Sequence, residues 1–401
     1  MTRLLALLVA VIALTVAPTS ALAQSSRPDI EAPSAIVVEA STGEVAYAKD
    51  PSAKRSIAST TKLMTALLTL ESVALDDVLT VAPYTPSGAE SLGGLRAGER
   101  MTARDLLRAL LLASANDAAV TLATRISGSV PAFVREMNAR AKELGLKDTR
   151  YTNPIGLDTG GRSSARDLVK LAQVLRRNEF FRRTVDLPRV TVTSGDHKRT
   201  YLNRNTLVRR VDWVNGVKTG HTSLAGYVLV GSATRNGVTV ISAVLGTPSE
   251  AARDAESLEL LRYGLSRYAR RTLVKNGQTL ARSDLKYRDE QVRLVAGRGV
   301  QKVLRRDRRA RLRVTGVPKE VEGPLTAGAR LGRVDVLVGG KVVGSAPLVT
   351  ASAVEKAGLA TRLAYVAGQG RTLLLAIVLV ICTVSLVLLR RRVVRRTGSR
   401  A

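Results

Sequence analysis

The 401-residue chain has one cysteine, Cys382, and two histidines, His197 and His221. An intramolecular disulfide and a cysteine-based metal cluster are therefore excluded, and a zinc site built from several histidines lacks the ligands. A Ser-His-Asp arrangement would have to use one of these two imidazoles as its base. His197 has no motif around it, and His221 adjoins a Lys-Thr-Gly tripeptide, where it fits the wall of a site better than a base. Aromatic residues make up 3% of the chain, so it offers no stacking platform for single-stranded nucleic acid. Acidic residues are scarce too: 33 Asp and Glu stand against 62 Lys and Arg, a formal net charge of +29. That balance suits a polyanionic neighbour, whether nucleic acid, anionic lipid or an acidic envelope polymer.

The chain ends choose among these. Arg3, an apolar run over residues 4–16 and the small-x-small sequence Ala21-Leu22-Ala23 predict a signal peptide, residues 1–23, removed after export. A second apolar run, residues 372–389, carries no charge and as a helix spans roughly 27 Å, close to the ~30 Å hydrocarbon core of a bilayer. Arg390, Arg391, Arg392, Arg395 and Arg396 follow it, so residues 390–401 are expected in the cytoplasm and the bulk of the chain outside. Cys382 lies within the span as an apolar filler. A single-pass cell-membrane protein with an extracytoplasmic body has little access to chromosomal DNA, and its charge then points to envelope polymers or lipid.

Between the ends, two short β-rich runs at residues 35–40 and 45–48 flank the turn Ser41-Thr42-Gly43. Helical apolar spacing recurs over residues 59–70, 102–112, 116–124, 131–144 and 165–175. Strands return at 227–233 and 238–245 around Asn236-Gly237, a strong hairpin signal, and residues 250–268 read as a closing amphipathic helix. First and last strands can share one antiparallel sheet with the helices as a layer and a lobe, an α/β domain of the α+β kind over residues 28–268. From 272 to 351, short β-branched runs alternate with Gly and basic turns, which predicts a small all-β domain. Its basic run, residues 305–313, reads equally as a charge-protected strand edge or as a contact for anionic polymer or lipid.

Three short motifs carry candidate chemistry. In Ser59-Thr60-Thr61-Lys62 the serine opens a predicted helix, where residues three apart face each other, so the Lys62 amine can reach the Ser59 hydroxyl. A serine hydroxyl needs an adjacent base, and lysine serves as one only where burial or a second cation lowers its pKa from ~10.4. The spacing alone is weak: a helix cap followed by an exposed lysine looks the same, and Ser283-Asp284-Leu285-Lys286 repeats it in the β domain. In Ser114-Ala115-Asn116 a second hydroxyl could relay a proton and Asn116 could hold Lys62 and a substrate amide, or cap a helix. In Lys218-Thr219-Gly220-His221, Lys218 offers the second cation, Thr219 a hydroxyl for a carboxylate, and Gly220 room for close backbone approach. An ordinary turn before a strand has the same composition.

In this order, Ser-x-x-Lys, Ser-x-Asn and Lys-Thr-Gly are the signature of penicillin-interacting serine enzymes. With residues 112–119, 152–158 and 215–222 around them, the chain resembles the D-alanyl-D-alanine carboxypeptidases, the low-molecular-mass penicillin-binding proteins, from about Pro28 to Ala351. The resemblance implies a penicillin-binding/β-lactamase-like fold and a serine enzyme that removes the terminal D-alanine from peptidoglycan stem peptides ending in D-Ala-D-Ala. It implies Ser59, Lys62 and Ser114 as catalytic, and Asn116, Lys218, Thr219, Gly220, His221 and Arg253 as substrate-binding. Arg253 matches an arginine that helps bind the terminal carboxylate. The backbone N–H groups of Ser59 and His221 would hold the oxyanion, β-lactams would acylate Ser59, and neither metal nor cofactor is needed. Two departures stand out: the family often has His where Ile155 stands, and many relatives end in an amphipathic surface helix rather than a full span. A class A β-lactamase would need a Glu-x-x-x-Asn between the second and third motifs, which is not found. An endopeptidase acting on cross-links and a non-catalytic wall-binding protein are the competing functions.

Overall fold

The computed structural model describes residues 27–157 and 159–397. The predicted signal peptide and the last four residues of the basic tail lie outside them. The chain divides into two compact units, one ending near Ser266 and one beginning at Arg267, with the hairpin tip Thr234–Thr239 grouped with the second.

The first unit begins with the predicted hairpin, β1 (Ser34–Glu39) and β2 (Val45–Lys49), whose turn is held by the Glu39 carboxylate accepting from the backbone and hydroxyls of Ser41 and Thr42. A 3-10 turn, Ala58–Thr61, runs into α1 (Lys62–Ser72). Then come β3 (Val78–Thr80), β4 (Arg100–Thr102), α2 (Ala103–Arg108), a π-turn at Ala109–Ala113, α3 (Asn116–Ser127) and α4 (Val130–Glu143). The unit continues through α5 (Ala165–Leu175), α6 (Glu179–Val185), β5 (Arg189–Val192), β6 (Arg199–Leu202) and α7 (Thr206–Arg210). It closes with β7 (Val214–Thr222), β8 (Gly226–Arg235), β9 (Val238–Thr247) and α8 (Glu250–Arg267).

The sheet order is β2-β1-β9-β8-β7, so the first strands and the last share one antiparallel sheet as expected, with Ile36 opposite Ala243 and Val38 opposite Ile241. β1 is buried along its whole length because both faces are covered. Ile36 and Val38 belong to the core that the helical lobe fills with Leu63, Met64, Leu106, Leu110, Phe133 and Leu168. On the opposite face Gly264 brings α8 against Val37 and Val240, so close that a methyl group there would lie 2.8 Å from Val37. The β8–β9 turn places Asn236 and Gly237 at φ +52° and +72°, the left-handed conformations that make Asn-Gly a hairpin signal.

The sequence did not mark the short elements β3 to β6, α6 and α7, which lack a usable period and are fixed by tertiary contacts instead. One such contact is buried: the Arg199 guanidinium on β6 is paired with Glu99 at 2.7 and 2.8 Å and also donates to Gly94 O.

The second unit contains β10 (Tyr268–Val274), β11 (Thr279–Leu285), β12 (Gln291–Ala296), β13 (Val300–Arg305), β14 (Ala310–Thr315), β15 (Glu320–Val321), β16 (Arg330–Val338) and β17 (Lys341–Thr350). It is all-β up to this point, with strand geometry resuming at Tyr268 directly after α8. Its core is Val274, Leu294, Val334, Val336, Ala346 and Leu348. Gly339-Gly340 turns β16 into β17. The basic run spans the end of β13, a turn and the exposed edge strand β14. Two helices follow, α9 (Leu359–Ala367) and α10 (Gly370–Thr397), and within α10 Leu373–Arg392 is long and apolar enough to cross a membrane.

Candidate active site

Ser59 sits in the 3-10 turn that leads into α1. Thr60 secures the turn by donating to Ile57 O at 2.6 Å, and the Ser59 hydroxyl accepts from Lys62. Residues three apart lie on one face in both 3-10 and α geometry. Lys62 Nζ accordingly donates to Ser59 Oγ at 3.0 Å and to Ile155 O at 2.9 Å. Lys62 is completely buried. Burial, with help from the nearby charges of Lys218 and Arg204, holds its pKa well below the ordinary lysine value, against the opposing pull of Glu90 and Asp117.

Ile155 belongs to a loop tied down by its own sequence. Asn153 Oδ1 accepts from the N–H groups of Ile155 and Gly156, at 3.0 and 2.6 Å, and Thr65 of α1 donates to Pro154 O at 2.8 Å. Gly156 has φ +85°, and a Cβ there would lie 2.0 Å from Ala58 O, so only glycine lets the loop meet the serine turn. The loop reaches Lys62 through a main-chain carbonyl. Isoleucine in place of the family's frequent histidine therefore leaves this contact intact.

Ser114 follows the π-turn that ends the apolar run of the second helix, and it takes the left-handed conformation, φ 63°. Its hydroxyl oxygen is buried and has no hydrogen-bond partner among the described residues. Asn116 does not cap α3, since Ala115 occupies the N-cap position. Its Nδ2 instead donates to Glu90 Oε2 at 2.7 Å, its backbone N–H donates to Ser91 O at 2.8 Å, and its Oδ1 is buried without a partner among the described residues.

The third motif lies on β7, the sheet edge next to the serine turn. A Cβ at Gly220 would approach Ile57 O to 3.0 Å and Ser59 N to 3.1 Å, so the missing side chain permits the close passage of strand and turn. Lys218 is buried, donates to Thr219 O at 3.0 Å, and has its pKa lowered to about 7 by burial and then by the charges of Arg204 and Arg253. His221 is exposed and stacked on Tyr227 at a centroid distance of 3.9 Å. Arg253 stands on α8, buried, with its guanidinium paired to Glu250 at 2.8 Å and Asp254 at 2.7 Å.

These elements enclose a cleft of about 750 Å³ whose wall includes Ser59, Ser114, Thr219, Gly220, His221 and Arg253. Lys62, Asn116 and Lys218 stand behind that wall, buried, where their charge and dipoles act at reduced dielectric. The sequence pattern did not reveal Glu90, which sits in a Ser/Pro/Gly loop with no motif of its own. Nor did it reveal Arg204, which lines the cleft and binds Ala113 O at 2.9 Å.

Known proteins resemble this chain over both of its units. Residues 21–249 match the D-alanyl-D-alanine carboxypeptidase family, and residues 268–356 match the C-terminal domain of penicillin-binding protein 5. The D-alanyl-D-alanine carboxypeptidase DacF of Bacillus subtilis is 32% identical over 388 residues, covering 92% of this chain and 99% of the relative. A D-alanyl-D-alanine endopeptidase of Pseudomonas aeruginosa is 35% identical over 274 residues, covering 65% of this chain and 88% of the relative. Among solved structures, penicillin-binding protein 5 from Haemophilus influenzae superposes with a TM-score of 0.59 at 30% identity, over 82% of this chain and 99% of its own. With the matches running through the serine turn, the cleft and the β domain alike, the chain belongs to the D-alanyl-D-alanine carboxypeptidase family of serine hydrolases.

Proposed function

We propose that Ser59 is the nucleophile and Lys62 the base of a serine-type D-Ala-D-Ala carboxypeptidase that trims peptidoglycan stem peptides. The observation that carries this reading is the contact at 3.0 Å between a fully buried lysine amine and the serine hydroxyl. A neutral Lys62 takes the Ser59 proton as Oγ bonds to the carbonyl carbon between the last two D-alanines. The backbone N–H groups of Ser59 and His221 stabilise the oxyanion. Ser114, whose hydroxyl has no competing partner among the described residues, passes a proton to the departing D-alanine nitrogen as the C–N bond breaks. Water then attacks the ester and regenerates Ser59. Thr219 and Arg253 receive the terminal carboxylate, Lys218 adds positive charge beside it, and Asn116 holds the substrate amide. The segment boundaries read from the sequence suit this scheme: export through residues 1–23, catalysis in 28–268, the β domain 272–351, and a single span at 372–389 leaving the catalytic unit outside the cell membrane.

The test is mass spectrometry of the purified protein with a peptide ending in D-Ala-D-Ala, and separately with a penicillin. Loss of one alanine and a covalent adduct on Ser59 are expected. Cleavage of cross-linked dimers without D-alanine release would favour the endopeptidase, and rapid penicillin turnover a β-lactamase.

A further inference from the structure

Glu90 belongs to no motif, yet it is bound from three sides. Asn116 Nδ2 donates to its Oε2 at 2.7 Å, the Tyr84 hydroxyl donates to the same oxygen, and the Ser87 N–H and hydroxyl donate to Oε1 at 2.9 and 2.8 Å. Its neighbours Ala89 and Ser91 line the cleft. The loop is stitched to the Ser-x-Asn motif at two further points: Asn116 N–H donates to Ser91 O, and the Asp117 carboxylate accepts from Gly93 N at 2.8 Å and Leu95 N at 3.1 Å. A carboxylate can only accept, so the Asn116 amide must turn its NH2 toward Glu90 and keep Oδ1 free of it. Oδ1 is the buried acceptor without a partner among the described residues.

We infer that Glu90 is a positioning residue that fixes the flip of the Asn116 amide, reserving Oδ1 as an acceptor for a donor of the acylation reaction. This rests on the serine reading above. An asparagine without such a partner can present either end, and half of its orientations would offer a donor where an acceptor is required. Glu90 also sets the charge balance around Lys62, where it and Asp117 favour the protonated amine and Lys218 and Arg204 oppose it. The hydrogen bonds from Tyr84, Asn116 and Ser87 outweigh burial and hold Glu90 at about 2, so it stays ionised across the working range.

The test is the pH profile of penicillin acylation and of D-alanine release for Glu90→Gln and Glu90→Asp in the full chain. Glu90→Gln can offer the amide either an acceptor or a donor, and its plateau kcat/KM is expected to fall roughly tenfold to a hundredfold. Its acid limb should move to lower pH, because a negative charge that favoured protonated Lys62 is gone. Glu90→Asp keeps the charge and should leave the limb in place. A purely structural loop contact would lower the folded fraction without moving the limb. Normal labelling of Ser59 with an unchanged plateau and limb in Glu90→Gln overturns the inference alone. Absence of labelling in the unaltered protein overturns the serine reading and this inference with it.

Discussion

At Ser59 the chain turns from 3-10 into α-helix, and Lys62 comes round to lie 3.0 Å from the hydroxyl. At Ser283 the same four-residue spacing runs along β11 and out of its end. There the serine donates to Pro318 O at 2.7 Å, and Lys286 turns to Glu322 at 3.4 Å and to the ring of Tyr287. In a strand successive side chains alternate faces, so residues three apart point away from each other. The environments differ as much as the geometry. Lys62 is sealed in a core with other cations near it and its pKa falls, whereas Lys286 is pushed upward by bonding to Tyr287 and Glu322. Identical residue types at identical spacing thus give a buried lysine–serine contact in one place and a surface ion pair in the other, and backbone conformation with burial makes the difference.

The largest effects should come from breaking the first of these two pairs. Ser59→Ala is expected to remove D-alanine release and penicillin labelling together, a loss of roughly 10⁴-fold or more. Labelling that survives would refute the nucleophile assignment. Lys62→Met keeps the length and apolar stem but loses the base, so acylation should slow by about 10³-fold while circular dichroism stays unchanged. An acylation rate within tenfold of the parent would move the base elsewhere.

Lys218→Met sharpens the comparison by altering the surroundings of Lys62 and not its geometry. Removing a neighbouring cation raises the Lys62 pKa, so the acid limb of the acylation profile should shift to higher pH. The same variant tests linkage. Lys218 titrates near 7 in the folded chain against 10.5 unfolded, so its contribution to stability is present above 10.5 and lost as pH falls toward 7. The melting temperature of Lys218→Met should therefore exceed that of the parent by more at pH 7 than at pH 10, and an equal gap at both would show that folding does not lower the Lys218 pKa.

The smallest effects belong to the second pair. Ser283→Ala should cost about 1 kcal/mol through the lost bond to Pro318 O, and Lys286→Met less, since exposed ion pairs contribute little. Neither should change D-alanine release by more than about twofold, a change that mass spectrometry of the released alanine can resolve. A larger drop would mean that the β domain takes part in catalysis.

Much of the fold was legible because periodicity survives averaging along a chain. α5 matches its predicted span to the residue, and the hairpin at Asn236-Gly237 follows from two left-handed residues that few other pairs tolerate. The short strands and helices between Val78 and Arg210 were not legible, since β3 and β4 are three residues each and are held by partners distant in sequence. The motif residues were visible because the chemistry restricts their types. Their neighbours were not: any carboxylate at any nearby loop position could have met Asn116, and only the path of the loop makes it Glu90.

By itself the sequence determined the secondary elements with strong period, the apolar run at residues 372–389 and the three motifs, because each is encoded in a few consecutive residues. The tertiary structure decided what those motifs are. It buries Lys62 and Lys218, runs β7 so near the serine turn that a Cβ at Gly220 would lie 3.1 Å from Ser59 N, and lends a carbonyl from Ile155 to the lysine amine. Burial is the largest cause of the lowered Lys62 pKa, and excluding water from a lysine amine takes elements from across the chain.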